Sequence, residues 1–366
     1  MNYPSNIIHF KTNVVNRKVV IFLKKCLICK ERNIDYYGIC TSCKILNQNM
    51  RSVHADLNGY TALITGARVR IGYATALRLL RDGANVIGIT RFPHIAMENY
   101  KKEPDYQSFK DRLKIIGFDL MQIHLLDDLI SKIESYCPNG LDILINNSAQ
   151  TIRKSPTYYL HRIELDNQLK LEASNSLENS IVAITPPTKE LLTQCVPVPN
   201  VELSNYNSWV AKPEDIAPQE MLEVQLINVT APFFLTTRLK PLMLKSEHLN
   251  RFIINVSSVE GRFNDYNKGI KLSRHIHTNM AKASLNMMTH SLAYDYSKDR
   301  IYIYSCDPGW ITSQFPADFD NNKNFKPYLT LDDGACRLCY PIYLYINELN
   351  IKDIGSQYKY YKIIAY

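Results

Sequence analysis

The chain has 366 residues, 46% of them hydrophobic and 21% charged, and a formal net charge of +8. That is the composition of a soluble globular protein, and the length suits one α/β domain plus an appendage. No apolar run approaches the roughly 18 residues that a membrane span needs, so none is expected.

The charge is uneven. Residues 1–58 hold nine Lys/Arg against three acids, which leaves the body of the chain near neutral. Any affinity for polyanions should reside in this N-terminal part, and a solvated basic tail is the plainer alternative. The basic segment 1–20 runs into a short apolar stretch at 19–23. It is too short for a signal-peptide core, and no small-residue cleavage site follows. A cytoplasmic protein is expected, with a mitochondrial presequence as the alternative.

Residues 21–50 carry Cys26, Cys29, Cys40 and Cys43 as two CxxC pairs. Two such knuckles bring four thiolates to one tetrahedral Zn²⁺. Four cysteines leave no open position, so the metal should be structural. Asp35-Tyr36-Tyr37-Gly38, between the pairs, suits a turn in a short hairpin. A lone CxxC, Cys336 to Cys339, sits in an apolar helical run and reads as buried core. Cys137, Cys195 and Cys306 are scattered, a pattern that fits a reducing compartment. Residues 51–59 read as a linker.

From residue 61 the chain alternates between strands and helices. An apolar strand at 61–65 leads to a turn bounded by Gly66 and Gly72. The helix that follows has Ile71, Ala74, Leu77 and Leu80 at helical spacing, and Gly83 ends it as a left-handed cap. A second strand follows at 86–90. Such a βαβ unit, with glycines at its first turn, seats a dinucleotide pyrophosphate on a helix N-terminus. Further strands are predicted at 114–119, 141–147, 252–257 and 301–306, with helices at 218–244 and 278–297. The fold class is α/β, a Rossmann-like doubly wound parallel sheet with helices on both faces and ligand at the carboxyl ends of the strands.

Seven motifs in order make the chain resemble the short-chain dehydrogenase/reductase family over residues 59–347. The family's TGxxxGxG turn matches Thr65, Gly66, Ala67, Arg68, Val69, Arg70, Ile71 and Gly72, with Arg70 in place of the middle glycine. Its adenine-holding acid matches Asp119, followed by Leu120. Its NNAG turn matches Asn146, Asn147, Ser148 and Ala149. Its helix asparagine matches Asn228 in NVTAPF, and its strand-end serine matches Ser258 in NVSSVEG. The lysine of YxxxK matches Lys282 in HTNMAKAS. PGxxxT matches Pro308 and Gly309, with Thr312 one residue early. The resemblance implies that Asn228, Ser258, Thr278 and Lys282 form the catalytic set. It also implies that Lys282 and the turn residues hold the cofactor. The family commonly pairs through the helices that carry Asn228 and Lys282, which implies a homodimer or homotetramer.

Two departures stand out. Arg70 adds bulk but also positive charge beside phosphate, as does Arg68. Arg91, at the tip of the second strand, stands where an acid would hold the ribose 2′-hydroxyl of NAD(H), so NADP(H) is the expected cofactor. The second departure is Thr278, where the family has its catalytic tyrosine. A phenol can be tuned toward neutrality, whereas an aliphatic hydroxyl is a far weaker acid. Thr278 is left to relay a proton through water, or to orient substrate while His275, His277 or Lys282 supplies the proton. Both histidines read first as exposed loop residues. Other YxxxK matches, at Tyr294 and Tyr358, are set aside. The sequence around these motifs looks like a branch of the family in which threonine is the rule at the tyrosine position.

Residues 151–217 exceed the family's short connection and form an insertion that begins at the rim of the site. Tyr158, Tyr159, Tyr206 and Trp209 suit a packed lid or interface element, with disorder around 173–193 as the alternative. Residues 313–330, with Phe315, Phe319, Phe325 and Tyr328, correspond to the substrate loop, and 348–366 read as a C-terminal tail. The leading reading is an NADP-dependent carbonyl reductase or alcohol dehydrogenase acting on a small carbonyl or alcohol. The alternative is a non-catalytic NADP(H) sensor or scaffold that signals through its zinc module to a protein or nucleic-acid partner.

Overall fold

The computed structural model describes residues 24–30, 33–34, 38–154, 156–173, 180–185, 207–263, 273–311, 328–347 and 353–366. Cys195, Tyr206, Thr312, Phe315, Phe319 and Phe325 lie outside the described residues. The chain divides into two units, Met1–Ser52 and Val53–Tyr366.

In the first unit, β1 (Lys24–Lys25) pairs antiparallel with β2 (Asn33–Ile34). The first cysteine pair therefore lies in the loop of this hairpin. The expected turn at Asp35 to Tyr37 lies outside the described residues. The second pair opens the helix Thr41–Arg51, with Cys40 as its N-cap residue.

In the second unit the strands are β3 (Thr61–Thr65), β4 (Asn85–Thr90), β5 (Leu113–Gly117), β6 (Ile143–Asn146), β7 (Ile181–Ala183), β8 (Arg251–Val256), β9 (Ile301–Asp307), β10 (Gln357–Lys359) and β11 (Lys362–Ile364). They form one sheet in the order β11-β10-β9-β8-β6-β3-β4-β5-β7. Every pairing is parallel except β10 with β11. Strands of a parallel sheet are covered on both faces and so read as continuous apolar runs; all six residues of β8 are buried. One apolar core includes Leu77, Leu80, Leu338 and Tyr343, from the helices Arg70–Arg81 and Leu331–Ile346. The other includes Leu129, Ile133, Leu235, Met243 and Tyr296, from helices on the opposite face. Strand order reverses between β3 and β6, the crevice where doubly wound sheets take ligands.

Four expectations are corrected. The segment read as a linker is packed: Leu57 is fully buried and its amide donates to the Asp82 carbonyl at 2.8 Å. The C-terminal tail is two strands of the sheet, joined at Tyr360 and Tyr361 with φ of +51° and +63°. Its lysines and tyrosines hide the strand signal, and Lys359 is buried only because it pairs with Asp307 at 2.7 Å. The single helix expected at 218–244 is broken. Pro218–Gln225 gives way to a π-helical turn, Leu226–Thr230, then to Ala231–Arg238 and Lys240–Leu244. Finally, the alternative of disorder around 173–193 fails at Ile181–Ala183, which extends the sheet beside β5. Among the described residues no helix is long and apolar enough to cross a membrane.

Candidate dinucleotide and carbonyl site

Two glycines and one polar loop build the turn after β3. A Cβ on Gly72 would lie 2.3 Å from Asn147 Nδ2 and 2.4 Å from the Gly66 carbonyl oxygen. Gly66 has φ +74°, and a Cβ there would lie 2.9 Å from Ser148 Oγ. Only glycine lets the turn lie this close to the loop after β6. Asn147 donates from its side-chain amide to the Thr65 carbonyl at 2.9 Å. The amides of Asn147 and Ser148 both donate to Thr65 Oγ1 at 2.9 Å. Arg70 is exposed and holds φ +57°, the left-handed conformation a glycine would take there. The turn is braced from behind by Tyr100, whose hydroxyl donates to the Ala67 carbonyl at 2.6 Å, and by Asn99 Nδ2, which donates to the Arg68 carbonyl at 3.1 Å.

Arg91 follows β4, with Phe92 and Tyr159 beside its guanidinium. Asp119 is buried and accepts from the Met121 amide at 3.0 Å, while its own amide donates to Thr185 Oγ1 at 2.6 Å. Leu120 is buried next to it. Pro308 and Gly309 follow β9. The Gly309 amide donates to Asp307 at 2.8 Å, and Arg337 donates to the Pro308 carbonyl at 2.6 Å.

The helix Ile276–Lys298 carries the second half of the site. Lys282 is buried, and its ammonium donates to the Val256 carbonyl at 2.5 Å. Burial pushes the Lys282 amine down to about 8, against the raising influence of Glu260 and Asp307. Ser258 stands just past β8, at the start of the short helical turn Val259–Gly261. A Cβ on Gly261 would lie 2.7 Å from the backbone of Lys282, so this glycine brings the serine's loop onto the lysine's turn of helix. Thr278 lies one helical turn before Lys282, and its buried hydroxyl has no hydrogen-bond partner among the described residues. Asn228 sits in the π-helical turn, where its Oδ1 accepts from the Gln150 amide at 2.8 Å and its Nδ2 donates to the Gln150 carbonyl at 2.9 Å. An extra residue in a helical turn redirects one side chain, and π-bulges are frequent at functional sites; here the redirected residue fastens the loop after β6.

The exposed-loop reading of the histidines fails for His277. It lies within the helix, is 1% exposed, and its Nε2 is 3.3 Å from the Thr151 carbonyl. Its Nδ1 is buried without a partner among the described residues. His275 caps the helix with φ +36° and stacks on Trp209 at 3.9 Å, which ties one end of the insertion to the helix.

Sequence reading missed the polar chain behind the site. Asn146 donates to Asn255 at 2.8 Å, Asn255 to Thr289 at 2.9 Å, and Ser305 to Asn286 at 3.0 Å. Asn286 in turn donates to the Gly261 carbonyl at 3.1 Å. This chain crosses β6, β8 and β9 and fixes the helix that carries Lys282. The signal was present as isolated polar residues inside apolar strands, but partners so far apart in sequence cannot be read without the fold.

The four cysteines of the first unit gather. Their sulfurs lie within 4.8 Å of one another, and Cys29 and Cys40 are 3.9 Å apart. Tetrahedral arms of about 2.3 Å set sulfurs roughly 3.8 Å apart, so the cluster has the size of a zinc site. The amides of Ile28 and Cys40 point at Cys26 Sγ at 3.4 and 3.2 Å, the donors a thiolate needs. Burial, then the neighbouring thiols, push the Cys43 thiol well up, which opposes ionisation unless a cation neutralises the cluster.

A doubly wound sheet with a glycine turn, an Asn-Asn-Ser loop and a buried helical lysine at one crevice defines a dinucleotide-dependent oxidoreductase class. The family model described as short chain dehydrogenase matches residues 60–172, and one described as Enoyl-(Acyl carrier protein) reductase matches residues 205–332. The chain is 30% identical over 345 residues to Uncharacterized protein R665 of Acanthamoeba polyphaga mimivirus, covering 88% of this chain and 72% of that one. It is 24% identical to human Dehydrogenase/reductase SDR family member 2, mitochondrial, over 87% of this chain and 95% of that one. Among solved structures, a short chain dehydrogenase from Shigella flexneri superposes with a TM-score of 0.54 at 20% identity, over 85% of this chain and 95% of that one. A short chain dehydrogenase from Burkholderia cenocepacia, in complex with NADP, gives 0.54 at 17% identity, over 82% and 96%. The chain belongs to the short-chain dehydrogenase/reductase family.

Proposed function

We propose that the protein is an NADP-dependent oxidoreductase of the carbonyl reductase or alcohol dehydrogenase type. The observation that carries this reading is Lys282. An ammonium has three donors, and among the described residues this one has a single acceptor, the Val256 carbonyl. Two buried N–H groups are left for ribose hydroxyls. The cradle at Gly66 and Gly72, closed to any side chain, fits a pyrophosphate, and the arginines Arg68, Arg70 and Arg91 fit the phosphates of NADP(H) better than NAD(H).

The nicotinamide, when bound, gives or takes the hydride. Ser258 and Thr278 hold the substrate oxygen by their hydroxyls. Thr278 is too weak an acid to stand in for a phenol. Lys282, lowered to about 8, exchanges a proton near neutral pH and feeds it through the Thr278 hydroxyl or a water. Asn228 keeps the loop after β6 in register with the site. Asp119 and Leu120 hold the adenine, Asn147, Ser148 and Ala149 the adjoining ribose, and Pro308 and Gly309 the carboxamide end, as the family resemblance implies. The Cys26, Cys29, Cys40 and Cys43 cluster fits one structural Zn²⁺.

A second reading, a non-catalytic NADP(H) sensor or scaffold that acts through its zinc module, is favoured by Thr278 and by the cysteine cluster of the first unit. Incubation with a metabolite extract and NADPH deuterated at nicotinamide C4, on either face, separates the two. A deuterated product absent from a Ser258→Ala control is expected. Tight NADPH binding with no transfer would sink the enzyme reading and leave the sensor.

A further inference from the structure

The insertion does more than lie over the rim. Its helix Pro156–Ala173 docks on the helix Pro93–Lys101, which begins directly after Arg91 and Phe92. Buried Asp166 ties the two together, accepting from the Ile95 amide at 2.9 Å and lying 3.1 Å from His94 Nδ1. Around this tie Phe92, Ile95 and Ile163 form a small apolar cluster with Tyr159 packed on it. The docking fixes which side chains of the helix meet the end of β4.

Three guanidiniums come together there. Arg91 lies 5.0 Å from the Tyr159 ring and 6.0 Å from the Phe92 ring. Arg68, from the glycine turn, lies 5.3 Å from the Phe92 ring, and Arg162 lies 5.5 Å from the Tyr158 ring. Burial, then repulsion from Arg162 and Arg91, hold the Arg68 guanidinium below its usual range, with the Tyr158 phenol opposing. Burial would raise the Tyr158 phenol, yet Arg68, Arg162 and Lys154 bring it below its usual value. Among the described residues no carboxylate forms an ion pair with any of the three arginines. The Tyr158 and Tyr159 hydroxyls hydrogen-bond Arg68 and Arg91, and a guanidinium with five N–H donors keeps others for a ligand. Burial opposes the charge on Arg91, but the Tyr159 phenol, Asp119 and Glu223 more than offset it; three guanidiniums so gathered, with no carboxylate ion-paired to them, are a receptor for an anion of high charge density.

We infer that the insertion helix completes the 2′-phosphate site of the cofactor, with Arg162 as a third phosphate-binding guanidinium and Tyr158 and Tyr159 as the plates that set the arginines. The inference rests on the NADP reading above and deepens it: specificity for the phosphorylated ribose comes in part from a segment outside the family's usual chain.

The test uses the full-length protein and isothermal titration with adenosine 2′,5′-bisphosphate and with 5′-AMP, which lacks the 2′-phosphate. Wild type should bind the bisphosphate far more tightly. Arg162→Ala should weaken the bisphosphate about tenfold or more and leave 5′-AMP unchanged, with a shallower salt dependence. Arg162→Lys should recover part of the loss, and Arg162→Gln, which keeps the stem of the side chain, guards against a folding defect. No change in any Arg162 variant, or equal loss of both ligands, overturns the inference. If Arg91→Ala loses the discrimination in that case, the NADP reading survives it. Wild type that binds both ligands alike would sink the NADP reading, and this inference with it.

Discussion

The glycine turn and the head of the helix Ile276–Lys298 each depart from the family pattern at one residue, and the two departures have different consequences. At the turn Arg70 replaces glycine yet keeps φ +57° and points to solvent. What that position must supply is a backbone shape, and a side chain can meet it at a cost of about 1 kcal/mol. At the helix head Thr278 sits in ordinary helix, buried and without a partner among the described residues. What the family takes from that position is an acidic hydroxyl, and no backbone geometry turns an alcohol into a phenol. Shape can be met by strain; acidity has to come from another group.

The largest effect should come from denying the turn its space. In Gly72→Ala the new Cβ meets Asn147 Nδ2 at 2.3 Å and the Gly66 carbonyl at 2.4 Å. A loss of about 3 kcal/mol in urea unfolding is expected, together with loss of NADPH binding. A neutral variant would show that close packing at the turn is not what shapes it.

The pH profile tests where acidity went. If Lys282 supplies the proton, turnover should fall about tenfold per pH unit above its value of about 8. Stability should move the other way. The native amine releases its proton near 8 while the unfolded lysine keeps its proton to its ordinary 10.5, so the unfolded state binds more protons across that window and unfolding free energy rises with pH. Denaturation of wild type beside Lys282→Met measures this, and a flat difference would remove Lys282 from the proton path.

Restoring the phenol is the sharper probe of the same point. Thr278→Tyr should raise turnover about tenfold if proton delivery limits the rate. Unchanged turnover, with NADPH binding intact, would place the slow step elsewhere. The smallest effect is expected from Arg70→Gly, which relieves the left-handed strain and should add about 1 kcal/mol to stability. A destabilised variant would mean that the arginine, and not the backbone, holds the turn.

The alternating strands, the first βαβ unit and the order of the motifs were legible because each rests on residues near one another in sequence. Gly66 and Gly83, at φ +74° and +105°, announce left-handed backbone conformations that short-range sterics dictate, and Cys26 to Cys43 announce a cluster through spacing alone. Lys282 and Ser258 were readable as motif positions, but their meeting was not. It depends on Gly261 lying against the helix and on the chain from Asn146 to Asn286, whose members come from four separate stretches. The same limit hid β10 and β11, where a buried Lys359 is tolerable only beside Asp307.

By itself, then, the sequence determined the α/β class, the glycine turn, the paired cysteines and the substitution at Thr278, all of which follow from local pattern or from the chemistry of a single side chain. The tertiary structure alone decided that His277 is buried, that Asn228 stands in a π-helical turn against Gln150, and that the insertion sets Arg162 beside Arg68 and Arg91. Burial, hydrogen-bond satisfaction and the gathering of like charges are properties of groups brought together from distant parts of the chain, and only the packed fold fixes those distances.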